Sequence, residues 1–573
     1  MVAATKDNLY TIPPPPSVKN LPASFAFGVA TSAYQIEGGW LEGGKGLNQW
    51  DVFSHTPGMI KNGDTGDVAT DHYHKYVEDA ELIKAAGIKH YRFSIMWSRL
   101  MPNGMLKPGE KPNAEGVKFY NNLINALLQR GITPWVSIWH NDLPFALALH
   151  PNPGNAVLRS DFPQLFTDFA RVCFEEFGDR VKHWFTFNEP MMAAVNYPAS
   201  GDKEPYQFGH NFLIAHAKTV KLYREQFQTR QNGKEIGIVL NLGSFYPADP
   251  ENPEHVKLCE RSYDWQMGWW LDPMYRGDYP QSMKDTLGDR LPSFTDEEKT
   301  MLIGSTDFVA INYYMPHMTK EGTHQPWTPG SAMNSFYADW NVTHYYADDW
   351  PRTHTGWGVY APGLRKLFNY VNHDRYKDFS VPMYIVENGC AVGEDSEEAA
   401  KNDVFRQQYL HDHIDNLALA VTEDGCDVRG WFGWSFLDNL EWFAGFEMKF
   451  GLVRVDFNDP DRKRTPKGSL WQLKDTIKMF EEAHGMYSDA GEGEGTADGG
   501  PGDTRSPWHG RPAPPVSEGG DAREEETPAA PTEAPVAGAT TAPVAGGSGG
   551  RDTGSNFSFA PGTGGFLRPP PTP

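Results

Sequence analysis

Two glutamates follow short apolar runs of the sequence and could act together as a catalytic pair. Glu189 stands in the run TFNEP, and Glu387 stands in the run YIVENG. An acetal breaks when one carboxyl protonates the leaving oxygen while a second, about 5 Å away, attacks the anomeric carbon. A single glutamate at the end of a strand more often forms a salt bridge or caps a helix. The pair therefore has a catalytic meaning only if the fold brings both residues to one place.

Eight short runs rich in β-branched and aromatic residues predict the strands that would carry this pair. They cover residues 25–30, 88–95, 133–139, 183–187, 236–240, 308–311, 383–386 and 428–435. Amphipathic patterns lie between several of them, for example at 71–86 and 117–130. Strands that alternate with helices are typical of βαβ units and a parallel sheet. Eight repeats predict an α/β fold, a single (β/α)8 TIM barrel with long loops.

Polar or aromatic residues end these runs or follow them closely. They are Gln35, Arg92, His140, Asn188 with Glu189, Asn241, Asn312 with Tyr314, Glu387 and Trp434. In a TIM barrel the carboxyl ends of all strands meet on one face, where the active site lies. The sequence therefore predicts that side chains far apart in the chain line one pocket.

The two glutamates would need different protonation states at the start of the reaction. We expect the negative charge nearby to raise the pKa of Glu189, so that it begins as the general acid. Hydrogen bonds from Arg92 and Tyr314 are expected to keep Glu387 ionised as the nucleophile. Once that charge is consumed, Glu189 can give up its proton and act as the base for water.

The motifs that carry these residues resemble those of the glycoside hydrolase family 1 β-glucosidases, over residues 21–484. In the family's order they are FGVATSAYQIEG at 27–38, HYRFS at 90–94, TFNEP at 186–190, NYY at 312–314, ENG at 387–389 and WSFLDNLEW at 434–442, followed by GFEMKFG. The resemblance implies catalytic glutamates on strands four and seven of the barrel. It also implies that the reaction needs no metal and no organic cofactor.

The same resemblance implies a set of residues that hold the sugar. Asn188 joins Arg92 and Tyr314 as catalytic support. The predicted substrate-binding residues are Gln35, His140, Asn312, Trp434, Glu441, Trp442 and Phe450. Trp434 would form the platform beneath the sugar ring, and Phe450 would lie near its 6-position. Core packing of the tryptophans and His140, and a surface position for Glu441, are the alternatives.

Three departures from the family pattern lie in predicted loops. The sequence reads HNDLP at 140–144 where the family has HWDLP, so that Asn141 replaces a tryptophan. The run PNPGN at 151–155 replaces a Tyr-Gly-Gly-Trp stretch, and the loop after Pro190 is short. These changes leave both glutamates in place and leave the preferred sugar and aglycone open.

The leading functional prediction is a retaining β-glucosidase that acts on small-molecule β-glycosides. It would release terminal non-reducing β-D-glucosyl residues from β-glucosides or short β-linked oligosaccharides, through a covalent glycosyl-enzyme intermediate. One alternative is the same chemistry on another β-linked sugar, or transfer to an alcohol. Another is a sugar-binding or scaffold protein without turnover. The oligomeric state cannot be predicted.

Charge, hydropathy and cysteine content narrow the choice of partners and cellular location. The net charge of −23 over 573 residues argues against a nucleic-acid partner. The sequence has no apolar stretch of about 18 residues, no recognisable secretory signal and four scattered cysteines. We therefore expect a cytoplasmic protein with no membrane contact. We predict an extended N-terminal arm at 1–20, the barrel at 21–487 and a disordered tail rich in Gly, Pro and acidic residues at 488–573.

Overall fold

Eight parallel strands close into a barrel at the centre of the computed structural model. The structure describes residues 10–148, 156–196, 201–322, 332–394 and 396–487. The barrel strands, β1 to β8, are Ala26–Ala30, His90–Ser94, Thr133–Trp139, His183–Asn188, Glu235–Asn241, Val309–Asn312, Met383–Asn388 and Val428–Trp434. Each predicted run overlaps one of these strands, the ends agree to within two residues, and the predicted TIM barrel is confirmed.

Neighbouring barrel strands follow one another in chain order, and β8 closes the barrel by pairing with β1. Two smaller sheets lie outside the barrel, and their strands are Ser244–Pro247, Pro316–Glu321 and Val342–Tyr345 in one and Val453–Val455 and Arg464–Pro466 in the other. Because the barrel is fully parallel, all eight carboxyl ends open at the same face.

Helices cover the outside of the barrel and several of its loops. The α-helices are Ala33–Ile36, Gln49–Ser54, His72–Ala85, Trp97–Leu100, Ala114–Gln129, Phe145–Ala148, Phe162–Phe177, Pro190–Asn196, Glu204–Tyr223, Pro253–Tyr263, Trp269–Arg276, Gln281–Leu287, Asp296–Leu302, Ala332–Trp340, Pro362–Asn369, Glu397–Lys401, Val404–Thr422 and Gly468–Ala483. In Ala114–Gln129 the apolar residues Phe119, Leu123 and Leu127 recur at helical spacing and are buried, which is the pattern of a helix packed on a sheet.

Apolar residues form two main layers of core. The larger layer lies between the strands and the surrounding helices. The smaller one fills the barrel interior and contains Trp135, Phe185, Phe308, Tyr384 and Phe432. Large side chains from several strands thus close the barrel beneath its mouth, so the functional pocket is confined to the carboxyl ends of the strands.

The segment at 10–20 differs from the extended arm predicted for 1–20. Pro16–Asn20 forms a 3-10 helix. The hydroxyl of Tyr10 donates to Asp475 at 2.6 Å, and that of Ser17 donates to Asp415 at 2.6 Å. The amide of Thr11 donates to Gln407 at 2.7 Å. Partners that lie 396 to 465 residues further along the chain hold this segment, which local sequence could not reveal. Residues 1–9 and the predicted tail at 488–573 lie outside the described residues.

Candidate active site

The carboxyl ends of the barrel strands bring the predicted residues into one hydrogen-bonded group. Arg92 lies on β2, Asn188 ends β4 and Asn312 ends β6, while Glu387 lies on β7. The register pairs Asn312 directly with Glu387. Two strands have a register shift close to their carboxyl ends. The shift in β4 lies between Phe185 and Asn188, just before Glu189, and the shift in β7 lies between Ile385 and Glu387. Such irregularities re-aim side chains beside active sites.

Glu387 is held by two short hydrogen bonds. The Nη1 of Arg92 donates to its Oε1 at 2.6 Å, and the hydroxyl of Tyr314 donates to its Oε2 at 2.7 Å. Arg92 is fully buried, and Glu387 is only 3% exposed. A buried guanidinium and carboxylate in this geometry form a charge-assisted pair, which fixes both oxygens of Glu387 in the pocket.

A chain of amides connects Glu387 to Glu189. The Nη2 of Arg92 donates to Oδ1 of Asn188 at 2.7 Å. The Nδ2 of Asn312 donates to the same oxygen at 3.1 Å and to Oε1 of Glu189 at 2.6 Å. Two glutamates that are distant in the sequence therefore share one network of hydrogen bonds, and the predicted support residues lie between them.

The backbone of Glu189 adopts an unusual conformation at the end of β4. Its φ of +48° lies in the left-handed region, which residues other than glycine rarely adopt. Its amide donates to the carbonyl of Val239 on β5 at 3.0 Å, and the helix Pro190–Asn196 follows at once. The sharp turn places the carboxyl at the mouth of the barrel, and backbone strain of this kind gathers at functional sites.

Withdrawal from water is the main influence on both carboxyls. It raises the pKa of Glu189 to about 8, with a smaller contribution from the charge of Glu387. It also raises the pKa of Glu387, against the opposing effect of Arg92 and Tyr314. The sequence-based prediction named charge repulsion as the cause for Glu189, and that cause is secondary. Because the guanidinium lies against Glu387, this carboxyl is the first of the two to ionise.

The network also fixes the protonation of His140, which follows β3. The Oδ1 of Asn188 accepts from Arg92 and Asn312, so the Nδ2 of Asn188 is the atom that faces Nε2 of His140, at 3.2 Å. The Nε2 must therefore accept, and the proton lies on Nδ1. Burial, followed by the charge of Arg92, holds the pKa of His140 well below its usual range, so the ring is neutral.

Gln35, in the helix Ala33–Ile36 after β1, and Glu441, on the loop after β8, form a second polar group. Ser32 donates to Oε1 of Gln35 at 2.6 Å, and Nε2 of Gln35 donates to Asn439 at 3.0 Å and to Glu441 at 3.2 Å. Withdrawal from water, with the charges of Glu387 and Glu189, raises the pKa of Glu441 to about 8. Three carboxyls thus face a common space, and their mutual repulsion favours a neutral ligand over an anion.

Aromatic rings line the same space. Trp434 and Trp442 lie nearly parallel to His140, with ring centroids 5.7 and 6.1 Å away and interplanar angles of 8° and 17°. Phe450 is buried and packs edge-on to Tyr314 at 6.1 Å. Flat apolar faces beside hydrogen-bonding groups are what a sugar ring requires, because it carries both C–H faces and hydroxyl edges. The structure therefore brings together all the predicted site residues.

Four residues of this neighbourhood were not singled out from the sequence. Ser137 accepts from Nε of Arg92 at 3.1 Å, and Asn439 contacts Gln35. Trp357 packs against Tyr314, with ring centroids 5.4 Å apart. The Nε2 of Gln49 donates to the backbone carbonyl of Asn141, the residue after His140. Ser137 shares the inward side of β3 with Trp135, so strand alternation could have found it. Gln49 and Trp357 lie on loops or a short helix without a comparable signal.

Neither a metal centre nor a membrane-spanning helix occurs in the described part of the chain. No group of three or more His, Cys, Asp or Glu side chains there has the arrangement of a metal centre. No helix in the same part of the chain is long and apolar enough to cross a membrane. The cysteines Cys173, Cys259, Cys390 and Cys426 are buried free thiols.

A closed parallel barrel with paired carboxyls, neutral hydrogen-bonding groups and aromatic faces at its mouth defines a glycoside hydrolase. The sequence model of glycosyl hydrolase family 1 matches residues 17–482. The chain therefore belongs to glycosyl hydrolase family 1, a family of retaining glycosidases, and the family predicted from its motifs is confirmed.

Curated relatives and solved structures agree with this assignment. Beta-glucosidase 1B of Phanerodontia chrysosporium is 41% identical over 475 residues, covering 78% of this chain and 84% of that protein. Beta-glucosidase 42 of Arabidopsis thaliana is 40% identical, covering 84% and 99%. A mutant rice β-glucosidase in a covalent complex with Glc has a TM-score of 0.75 at 37% identity, covering 81% and 99%. A β-glucosidase of the fungus Humicola insolens in complex with glucose has a TM-score of 0.73 at 38% identity, covering 82% and 99%.

Proposed function

We propose that this protein is a retaining β-glucosidase with Glu387 as nucleophile and Glu189 as acid and base. The observation that carries the proposal is the unequal setting of two connected carboxyls. Glu387 receives hydrogen bonds from the Arg92 cation and the Tyr314 hydroxyl, whereas Glu189 receives one from the neutral amide of Asn312. The relatives named β-glucosidase support glucose as the sugar that is released.

The first half of the reaction breaks the glycosidic bond. Glu387 begins ionised and attacks the anomeric carbon, while Glu189 begins protonated and gives its proton to the leaving oxygen. A carboxyl with a pKa of about 8 keeps its proton at neutral pH and can deliver it there. The attack forms a covalent glycosyl ester on Glu387 and releases the aglycone as an alcohol.

The second half of the reaction uses the same two groups in reverse. Esterification removes the charge of Glu387, and that charge is one of the influences that raise the pKa of Glu189. Glu189 is then a carboxylate that takes a proton from a water molecule while the oxygen of that water attacks the anomeric carbon and the ester bond to Glu387 breaks. Two inversions at one carbon give overall retention, and Glu387 leaves as a carboxylate beside Arg92.

The remaining residues of the pocket orient the sugar. We assign Gln35, His140 and Glu441 to its hydroxyls, because these groups mix donors and acceptors in a space withdrawn from water. We assign Asn312, whose Nδ2 donates to Glu189, to the part of the ring beside the anomeric carbon. Trp434, Trp442 and Phe450 supply the flat surfaces against which the ring packs.

Chemical rescue tests the two roles separately. Glu387→Gly should abolish hydrolysis of an aryl β-glucoside, and azide should restore turnover by entering from the opposite face to give an α-glucosyl azide. Glu189→Gly is the matched variant. With an activated leaving group it still forms the covalent intermediate, so azide should yield a β-glucosyl azide.

The stereochemistry of the azide products decides the assignment. Exchange of the two products between the variants would reverse the roles of the glutamates. Full hydrolytic activity in Glu387→Gly would end the proposal, and so would a wild-type protein that turns over none of the β-glycosides offered.

A further inference from the structure

A buried tyrosine of the helix Val404–Thr422 reaches the back of the catalytic network. The hydroxyl of Tyr409 donates to the backbone carbonyl of Tyr314 at 3.1 Å and accepts from Nδ2 of Asn388 at 3.0 Å. Tyr314 is the residue whose own hydroxyl donates to Glu387, and Asn388 follows Glu387 directly in the chain. One hydroxyl thus connects the two sides of the contact that holds Glu387.

The direction of each bond follows from the atoms involved. The indole Nε1 of Trp431 on β8 donates to Oδ1 of Asn388 at 3.1 Å, so Nδ2 is the atom of Asn388 that faces Tyr409. An amide nitrogen donates and a carbonyl accepts, so the Tyr409 hydroxyl accepts from Asn388 and gives its own proton to Tyr314. Burial raises the pKa of Tyr409 well above its usual range, so the hydroxyl keeps its proton throughout an enzyme assay.

Three hydrogen bonds fasten the segment after β6 to its surroundings. The amide of Tyr313 donates to the carbonyl of Glu387 at 2.9 Å, and Nδ2 of Asn388 donates to the carbonyl of Tyr313 at 2.8 Å. The third is the bond from Tyr409, and of the three it alone reaches Tyr314 itself. Since the Tyr314 ring extends from this main chain, the position of its hydroxyl relative to Glu387 depends on that bond.

The ring of Tyr409 is itself fixed by His413, one turn further along the helix. The two ring centroids lie 3.8 Å apart with an interplanar angle of 22°, and Nδ1 of His413 donates to the carbonyl of Tyr409 at 2.7 Å. Burial lowers the pKa of His413 to about 4, so the imidazole is neutral at neutral pH. Buried polar groups that are paired in this way form a rigid network, and the helix therefore offers a fixed support for the strand ends.

We propose that Tyr409 is a positioning residue for the nucleophile, because its hydroxyl holds Tyr314 in contact with Glu387 from behind the strands. The inference rests on the proposed glycosidase function and goes beyond it by assigning a role in the reaction to a residue of the helix layer. Tyr409 acts through Tyr314 and does not touch the sugar. Its influence reaches the chemistry as a change in how readily Glu387 ionises.

A double-mutant cycle tests this role. We would measure kcat/KM on nitrophenyl β-glucoside against pH for the wild type, Tyr409→Phe, Tyr314→Phe and the double variant. Tyr409→Phe removes the hydroxyl and keeps the ring that stacks on His413. It should lower kcat/KM about tenfold, the effect of one hydrogen bond, and move the acid limb of the profile to higher pH. Once Tyr314→Phe has removed the phenol, the same substitution should change neither.

The sign of the expected shift follows from the contact. A weaker bond from Tyr314 disfavours the ionised form of Glu387, so the pKa of the nucleophile rises. The other charged or titratable groups that face Glu387 stay the same in every variant. They are Arg92, Glu189 and Glu441. A shift of the acid limb therefore measures the contact between Tyr314 and Glu387, which a loss of stability alone would not move.

Two further variants separate positioning from damage to the fold. Tyr376→Phe is the matched control, since Tyr376 is a buried tyrosine whose hydroxyl donates to Asp272 at 2.7 Å. It should lower Tm and leave both kcat/KM and the acid limb unchanged. Trp431→Phe removes the donor that orients Asn388, so it should move the acid limb in the same direction as Tyr409→Phe, by a smaller amount.

Each result bears on one proposal only. An acid limb at the wild-type position in Tyr409→Phe, an equal loss of kcat/KM in Tyr376→Phe, or a loss by Tyr409→Phe that is as large with Tyr314→Phe as without it would overturn the positioning role. Where Tyr409→Phe does not fold, the position of the limb in Trp431→Phe decides. Absence of wild-type turnover on every glycoside would instead refute the proposed function.

Discussion

Glu189 and Glu387 are the same amino acid, and their surroundings give them different tasks. The cation and phenol that contact Glu387 stabilise its charged form, whereas Glu189 has a neutral amide as its contact. Removal of both carboxyls from water raises both pKa values, so specific contacts decide which group ionises first. At the residue scale, the chemistry therefore depends on hydrogen-bond partners rather than on residue type.

Replacement of Tyr314 by phenylalanine tests one of these partners. Tyr314→Phe removes the hydroxyl that donates to Glu387 at 2.7 Å. Loss of a hydrogen bond to a charged group should lower kcat/KM by about 10- to 100-fold. Because the bond favours the ionised form, the acid limb of the pH profile should move to higher pH. The neighbouring Tyr313→Phe is the control, since the Tyr313 hydroxyl contacts Ser244 instead. Equal effects of both substitutions would contradict this role.

The alkaline limb of the pH profile of kcat/KM should reflect the ionisation of Glu189. Withdrawal from water raises the pKa of Glu189 to about 8, and its protonated form is needed to release a poor leaving group. We expect kcat/KM to fall as pH rises through about 8. With a dinitrophenyl glucoside, whose leaving group needs no proton, the wild type and Glu189→Gln should both lack that limb. If the limb persists there but disappears in Glu441→Gln, the titration belongs to Glu441, whose pKa is also raised to about 8.

At the scale of elements, buried ion pairs hold the loop that follows β8. Lys467 donates to Asp438 at 2.9 Å and to Glu394 at 2.6 Å, and Arg406 donates to Glu394 at 2.8 Å. Asp438 belongs to the loop that also carries Glu441, and it accepts from the amide of Gly451 at 2.9 Å. The loop that carries Glu441 is thus tied to the helix Val404–Thr422, which contains Arg406.

Loss of Lys467 should loosen this loop and destabilise the protein. Lys467→Met leaves Asp438 without a cation in a buried site and leaves Glu394 with Arg406 alone, and breaking a buried pair costs about 3–5 kcal/mol. Lys463→Met is the matched control, because Lys463 pairs with Glu397 at the surface, where a pair is worth about 0–1 kcal/mol. Thermal unfolding should show a clear drop in Tm for the first variant only. A similar Tm for both would refute the anchoring role.

At the scale of the whole molecule, the proposed catalytic carboxyl Glu189 lowers stability above neutral pH. Glu189 has a raised pKa in the folded chain, so its contribution to stability is complete below the ordinary pKa of glutamate. It is lost as pH rises through about 8, because the unfolded chain releases the proton more readily. Active-site groups of this kind are expected to trade stability for function.

Glu189→Gln should therefore stabilise the protein selectively in alkali. Near pH 4 its Tm should match the wild type, and near pH 9 it should be higher by several degrees, since glutamine has no proton to lose. Glu297→Gln, at an exposed helix position, should shift Tm little at either pH. Scanning calorimetry across this range is the measurement. A gain of equal size at both pH values would point to packing rather than ionisation.

The sequence by itself determined the strands and their order, and it predicted the catalytic pair. Alternation and apolar runs are local properties, so residues such as Glu189 and Glu387 could be placed at strand ends without a structure. The family motifs then marked Gln35, Glu441 and Trp442. The cytoplasmic location and the domain ends at 21 and 487 remain predictions.

Only the tertiary structure decided the properties that depend on distant contacts. One such property is the attachment of residues 10–20 to the helices Val404–Thr422 and Gly468–Ala483. The tautomer of His140 follows from contacts among four residues on four strands or their ends. That Oε1 of Gln49 has no hydrogen-bond partner within the described residues is likewise a property of the folded chain alone. Local sequence determines on which face of a strand or helix a side chain lies. Folding determines which distant residues contact that side chain and how far it is withdrawn from water, and these set its pKa.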